Sequence, residues 1–158
     1  MSTNNKGQAL TFDFVIATAV FLAVLSLIVS YWYYSMLQMQ EIMDKNMAVN
    51  SLVLASDIWF AEGYPKYWDT SSIREIGLSN ENRINRTKME MLPQIGYSNV
   101  TTLLSLGAYS VQYNLYSGGS EVFAFPSFNI TCLKNTYIIE RISILDEKPV
   151  RIRTILCD

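Results

Sequence analysis

The stretch KGQALTFDFVIATAVFLAVLSLIVSYWYY, residues 6–34, decides how the chain folds. Between residues 14 and 40 no Asp, Glu, Lys or Arg interrupts it. A bilayer core of about 30 Å takes roughly 20 apolar helical residues at about 1.5 Å each, so residues 14–34 suffice for one crossing. A cleaved secretion signal fits less well. Its apolar core is shorter and leads into small residues, whereas this run closes on Tyr31-Trp32-Tyr33-Tyr34. Aromatic clusters of that kind belong at a membrane–water boundary. A buried core helix would need more surrounding sequence than 158 residues supply.

Working outward, Lys6 is the only basic residue on the short leading arm, and positive flanks stay cytoplasmic. That orientation puts the rest of the chain outside, in a single-pass membrane protein with an external head. The residues beyond the span are enough for one small domain. A net charge of −2 gives no basic patch, so nucleic acid is not an expected partner. The two cysteines, Cys132 and Cys157, both lie beyond the span. In an external domain they read as a disulfide, with two buried thiols as the alternative. Metal binding is disfavoured because the chain has no histidine, and no cofactor is expected. Asn85-Arg86-Thr87, Asn99-Val100-Thr101 and Asn129-Ile130-Thr131 fit the N-glycosylation pattern, although Asn85 and Asn99 also suit helix caps.

Helical periodicity continues past the span through Met36, Met39, Ile42, Met43, Val49, Val53 and Leu54, with Asn46 and Asn50 inside the same stripe. Gly63 and Pro65 are the expected stop. Two short helices come next, NRTKMEML and SNVTTLLSLG, with Asn85 and Ser98 as N-caps and Gly107 as a C-terminal stop. After Gly107 the period becomes two. Tyr109, Val111, Tyr113 and Leu115 alternate with Ser110, Gln112 and Asn114, and residues 117–120 turn the chain into EVFAFPSFNITC. A second hairpin joins TYIIERISIL to VRIRTILC across Asp146-Glu147-Lys148-Pro149. Four antiparallel strands present one apolar face, which the amphipathic half of the long helix is expected to cover. The fold class is α+β: a leader at 1–7, a long helix at 8–62, an irregular region with short helices at 63–107 and a sheet at 108–158.

The polar leader ending in Lys6-Gly7, then Gln8, an acid a few positions on, an uninterrupted apolar run and a β-rich head resemble archaeal type IV pilin-like proteins with a class III signal peptide. The leader motif covers roughly the first 30 residues, and the GYP..W and LLSLG.Y stretches are similar to ones in the same group. The resemblance implies cleavage by a prepilin peptidase between Gly7 and Gln8. It also implies partners in membrane lipid and other pilin-like subunits, and a life on the membrane and then in a surface filament. The family pattern has Ser third and Glu fifth from the cut; counted from Gln8, this chain has Thr11 fourth and Asp13 sixth. By the resemblance, Asp13 would pair with the new N-terminal amine of a neighbouring subunit. Independently, an acid in the first helical turn complements the helix dipole. Ala17, Ala19, Ala23 and Ser26 are where helices could approach closely.

An enzyme is not expected: there is no histidine, no phosphate-loop motif and no patterned carboxylate pair among Glu62, Asp69, Glu75 and Glu140. A second reading is a membrane-anchored surface binding protein that does not assemble, with Tyr64, Tyr67 and Trp68 as exposed recognition aromatics. Packing of those rings beneath the GYP turn is the preferred account of them.

Overall fold

Ala, Leu, Met and Gln populate the long apolar stretch, and nothing before Gly63 except Gly7 breaks a helix. The computed structural model describes residues 6–158, with side chains from Phe12 onward, and its first element is a single helix, α1, Lys6–Asp57. Within the span the hydroxyls of Thr18 and Ser30 donate to the carbonyls of Phe14 and Ser26, each at 2.8 Å, so these polar groups are satisfied inside the helix. The helix ends before the expected residue 62. Phe60 N–H and Ala61 N–H both donate to Asp57 O, turning the chain so that Ile58 and Trp59 enter the core.

The chain divides into two units, one reaching to Asp44 and one spanning Lys45–Asp158. The second holds a small hairpin, β1 (Ser79–Asn80) and β2 (Arg83–Ile84), then α2 (Arg86–Ile95) and α3 (Tyr97–Leu103). Next come four strands: β3 (Ser110–Ser117), β4 (Ser120–Phe125), β5 (Thr136–Leu145) and β6 (Lys148–Cys157). They form one antiparallel sheet in the order β4-β3-β6-β5, so the α+β class holds. All three hairpins among the described residues turn on two residues of positive φ: Glu81-Asn82, Gly118-Gly119 and Asp146-Glu147. That conformation matches the right-handed twist of paired strands.

Several local expectations need correction. The second large turn is Asp146-Glu147 alone, and Pro149 lies inside β6 opposite Ile144. Leu145 and Lys148 close the two-residue turn by exchanging hydrogen bonds, so at the next pair the proline's missing donor points away from β5. β3 pairs with β6 only as far as Arg151, so no bond is lost there. β4 stops at Phe125, because Pro126 has no N–H for the ladder. Asn85 caps α2 as expected, its side-chain oxygen accepting from Lys88 N–H, but α3 starts at Tyr97 with Gly96 at its cap, so Ser98 is no cap. Gly107 lies several residues past the end of α3 at Leu103 and serves the next turn instead. The hairpin β1–β2 falls inside the region whose sequence reads as irregular.

The core joins the inner sheet face, including Val111, Tyr113, Leu115, Phe125, Ile152 and Leu156, to Leu92, Ile95 and Val100 and to Leu52, Ala55, Ile58 and Trp59. The helix stripe expected to cover the sheet is not the one that does so. Met36, Met39, Ile42, Met43, Val49, Val53 and Leu54 are exposed, while the slimmer face of Ala48, Leu52 and Ala55 is buried. Small side chains bring the helix backbone within reach of the sheet, where Tyr113 O–H donates to Ala55 O at 3.0 Å. Beside them, the chain at 58–64 runs along 75–79: Leu78 N–H donates to Ile58 O at 2.7 Å and Tyr64 N–H to Glu75 O at 3.0 Å.

Candidate assembly interface

A crossing helix needs roughly 20 apolar residues, yet α1 carries exposed large apolar side chains from Phe12 to Leu54. Beyond residue 34, Met36, Met39, Met43, Asn46, Asn50 and Val53 recur at spacings of three and four. On a helix Met36, Met39 and Met43 line up along one side of the first unit, and Asn46, Asn50 and Val53 along one side of the second, each at the spacing by which two helices interlock. Met36, Met39 and Met43 are each more than half exposed, and both asparagines are exposed. Methionine is unbranched and adapts to an irregular partner surface, while asparagine inside an apolar seam specifies register. The stripe is legible in the sequence, but the sheet it was expected to cover takes another face.

In the span, 100° per residue places Ala19, Ala23, Ser26 and Ser30 on one face, and Asp13 with Ala17 on a different one. The small residues therefore lie on two faces, with Ala17 on the side of Asp13. Asp13 is exposed on α1. Ser26 O–H donates to Ala23 O at 3.3 Å, so this hydroxyl is satisfied inside the helix. Lys6, Gly7 and Gln8 fall within the first turns of α1, and their side chains lie outside the described residues, as does the leader at 1–5.

The head's outer sheet face is polar at its centre. Glu140 accepts from Arg153 at 2.7 Å with Arg151 at 3.7 Å, and both guanidinium groups lie over the Tyr116 ring, Arg153 at 5.6 Å and Arg151 at 5.1 Å. The bond from Arg153 holds the Glu140 carboxyl below its ordinary range. On the loop after α1, Trp68 is buried and donates Nε1–H to Gly77 O at 2.9 Å, whereas Tyr64 and Tyr67 are exposed. The preference for packing thus holds for Trp68 and fails for the two tyrosines, which stand on the solvent side of the turn. Asp69 nearby is drawn down to about 2 by the hydroxyls and N–H groups of Ser71 and Ser72. Lys88 is buried against the carbonyls of Glu62 and Ser79, with burial lowering its pKa.

Cys132 and Cys157 are joined in a disulfide, their Cα atoms 4.9 Å apart. Lys134 N–H donates to Asp158 O and Asp158 N–H to Asn135 O, so the bond staples the loop before β5 to the end of β6. Closing a loop of 25 residues constrains the unfolded chain by about 3–4 kcal/mol. Cys157→Ser in the full chain is accordingly expected to lower the head's melting temperature by roughly 10 °C or more, measured by circular dichroism in detergent. A melting temperature equal to that of the unreduced parent would contradict this. Among the described residues no group of three His, Cys, Asp or Glu side chains could hold a metal ion. No family model, curated protein or solved structure matches the chain, so its functional reading rests on these side chains and on the resemblance of its N-terminal region.

Proposed function

We propose that the chain is a pilin-like subunit of an archaeal type IV pilus-like surface filament, cut between Gly7 and Gln8, held first in the membrane and then assembled through α1. The observation that carries the reading is the extent of exposed apolar surface on α1. Lipid accounts for the residues up to the aromatic cluster at 31–34, and the long apolar helix is compatible with a single-pass anchor. Lipid does not account for the methionine seam beyond it, and a simple anchor has no use for that seam. Neighbouring α1 helices bury both stretches at once. Because lipid tails are as apolar as leucine, the transfer from bilayer to bundle is driven by close packing along the Ala19–Ala23–Ser26 strip and by polar contacts such as those of Asn46 and Asn50.

The test is the double variant Met39→Glu/Met43→Glu. Both side chains are exposed in the monomer and lie outside residues 14–34, so the head's fold and membrane insertion should be unchanged. In a bundle each unpaired carboxylate costs about 3–5 kcal/mol, so the two together reduce incorporation into filaments about ten-thousandfold or more. Sheared-fraction immunoblotting and electron microscopy of cells carrying the variant read the effect. Normal incorporation would remove the seam from assembly. Absence of the parent chain from every sheared filament would favour the membrane-anchored binding protein, with Tyr64 and Tyr67 as its contact residues.

A further inference from the structure

Three sequons occupy three different local structures. Asn85 is half-buried at the start of α2, its Oδ1 accepting from Lys88 N–H at 3.2 Å. Asn99 sits inside the helical backbone of α3, its Nδ2 donating to Ile95 O at 2.8 Å, and the hydroxyl of Thr101 donates to Ser98 O at 2.9 Å. Asn129 and Thr131 lie in irregular chain between β4 and β5, both exposed, and among the described residues neither takes part in a side-chain hydrogen bond. The same loop exposes Phe128 and Leu133, at 56% and 89%, on either side of the Cys132 staple.

We propose that Asn129 is the N-glycosylated residue of this chain, that Asn85 and Asn99 are not modified, and that the sugar covers Phe128 and Leu133. A transferase needs an acceptor amide and a hydroxyl two residues on, presented on flexible surface chain, and residues 129–131 present both. In the reaction the Asn129 amide nitrogen attacks the anomeric carbon of an oligosaccharide carried on a lipid phosphate. A C–N bond forms as the C–O bond to the phosphate breaks. The lipid phosphate leaves with the bonding electrons, and the amide proton passes to a base of the transferase. Sugar rings then offer C–H faces to the exposed side of the Phe128 ring, whose other side meets Tyr97 edge-on at 5.7 Å, and to Leu133, and hydroxyls to water.

The proposal rests on the reading that the head lies outside the membrane, so two measurements are made together on the full chain in its own cells. Peptide mass spectrometry locates any sugar, and protease added to intact cells reports whether the head is external. The expected result is one oligosaccharide on the Asn129 peptide. It is lost in Asn129→Gln and Thr131→Ala, kept in Thr131→Ser, and unchanged in Asn85→Gln and Asn99→Gln. A bare Asn129 in a head that protease reaches overturns this proposal and leaves the external head standing. A bare Asn129 in a protected head overturns both. Sugar on Asn85 or Asn99 also overturns it.

Discussion

Gly77→Ala is expected to unfold the head. A Cβ at this position would lie 2.1 Å from Gly63 N, 2.5 Å from Glu62 C and 2.6 Å from Ala61 O, all of them backbone atoms. Flexible side chains yield to such an intrusion; this backbone cannot, because Leu78 N–H to Ile58 O and Ser79 N–H to Ala61 O hold the two segments together at 2.7 and 2.8 Å. Gly63 meets it from the other side with φ +76°, and a Cβ there would sit 2.7 Å from Gly77 N and from Trp68 Nε1. Separating the segments breaks those bonds and unseats Trp68, whose indole donates to Gly77 O. The resulting loss is about 5 kcal/mol or more, as large as the whole stability of a marginally stable small domain. Gly107→Ala is the control: its positive φ adds a backbone strain that Gly77 lacks, but nothing lies within 4 Å of the added carbon, so it should cost only about 1 kcal/mol. Thermal melts of both variants of the full chain in detergent compare them, and a melting temperature for Gly77→Ala near that of Gly107→Ala would refute the interlock.

Trp59→Ala comes second in size. The indole is fully buried and meets the rings of Tyr113 and Phe123 edge-on, with centroids 5.7 and 6.2 Å away. Removing it leaves a ring-sized cavity between the end of α1 and the sheet, at about 3–5 kcal/mol. Trp59→Phe should recover more than half of that loss. It keeps most of the packing, and it removes an indole N–H that has no hydrogen-bond partner among the described residues. Chemical denaturation of the two variants gives the comparison; equal losses would show that the N–H is satisfied after all.

The legibility of the fold in the sequence differs between elements for physical reasons. α1 announces itself because an unbroken apolar run has few alternatives. β3, β5 and β6 are visible through their period of two. The turn at Asp146-Glu147 is two residues shorter than the sequence suggests, since proline reads as a breaker although one side of β6 needs no donor there. The β1–β2 hairpin escapes notice because its strands are two residues each and Glu81-Asn82 reaches positive φ without glycine. The Gly63–Gly77 contact leaves no periodic trace, being an approach of two backbones far apart in sequence. As for the candidate interface, the methionine stripe is plain but its partner is not: polarity patterns tell which residues avoid water, and here the sheet takes the slim face and leaves the bulky one bare. Among the three sequons, Asn85 and Asn99 are legible as helix residues, whereas Asn129 reads as part of the strand EVFAFPSFNITC and its irregular chain leaves no trace in the pattern.

β6 lies in the middle of the sheet although it comes after both its neighbours in the chain. As the polypeptide is synthesised, β3 can fold back only on β4, and β5 emerges with no strand to join. Cys132 is likewise made 25 residues ahead of its partner. The sheet therefore cannot close until the segment from Lys148 onward is delivered, and until then β5 waits unpaired and β3 is paired on one edge only. On the proposed reading of α1 as a membrane anchor, the chain is delivered with one end held and the sheet open. The outward polar row of Glu140, Arg151 and Arg153 is split between the waiting strand and the one that arrives last, so the charges on β5 and β6 meet only when the sheet is finished.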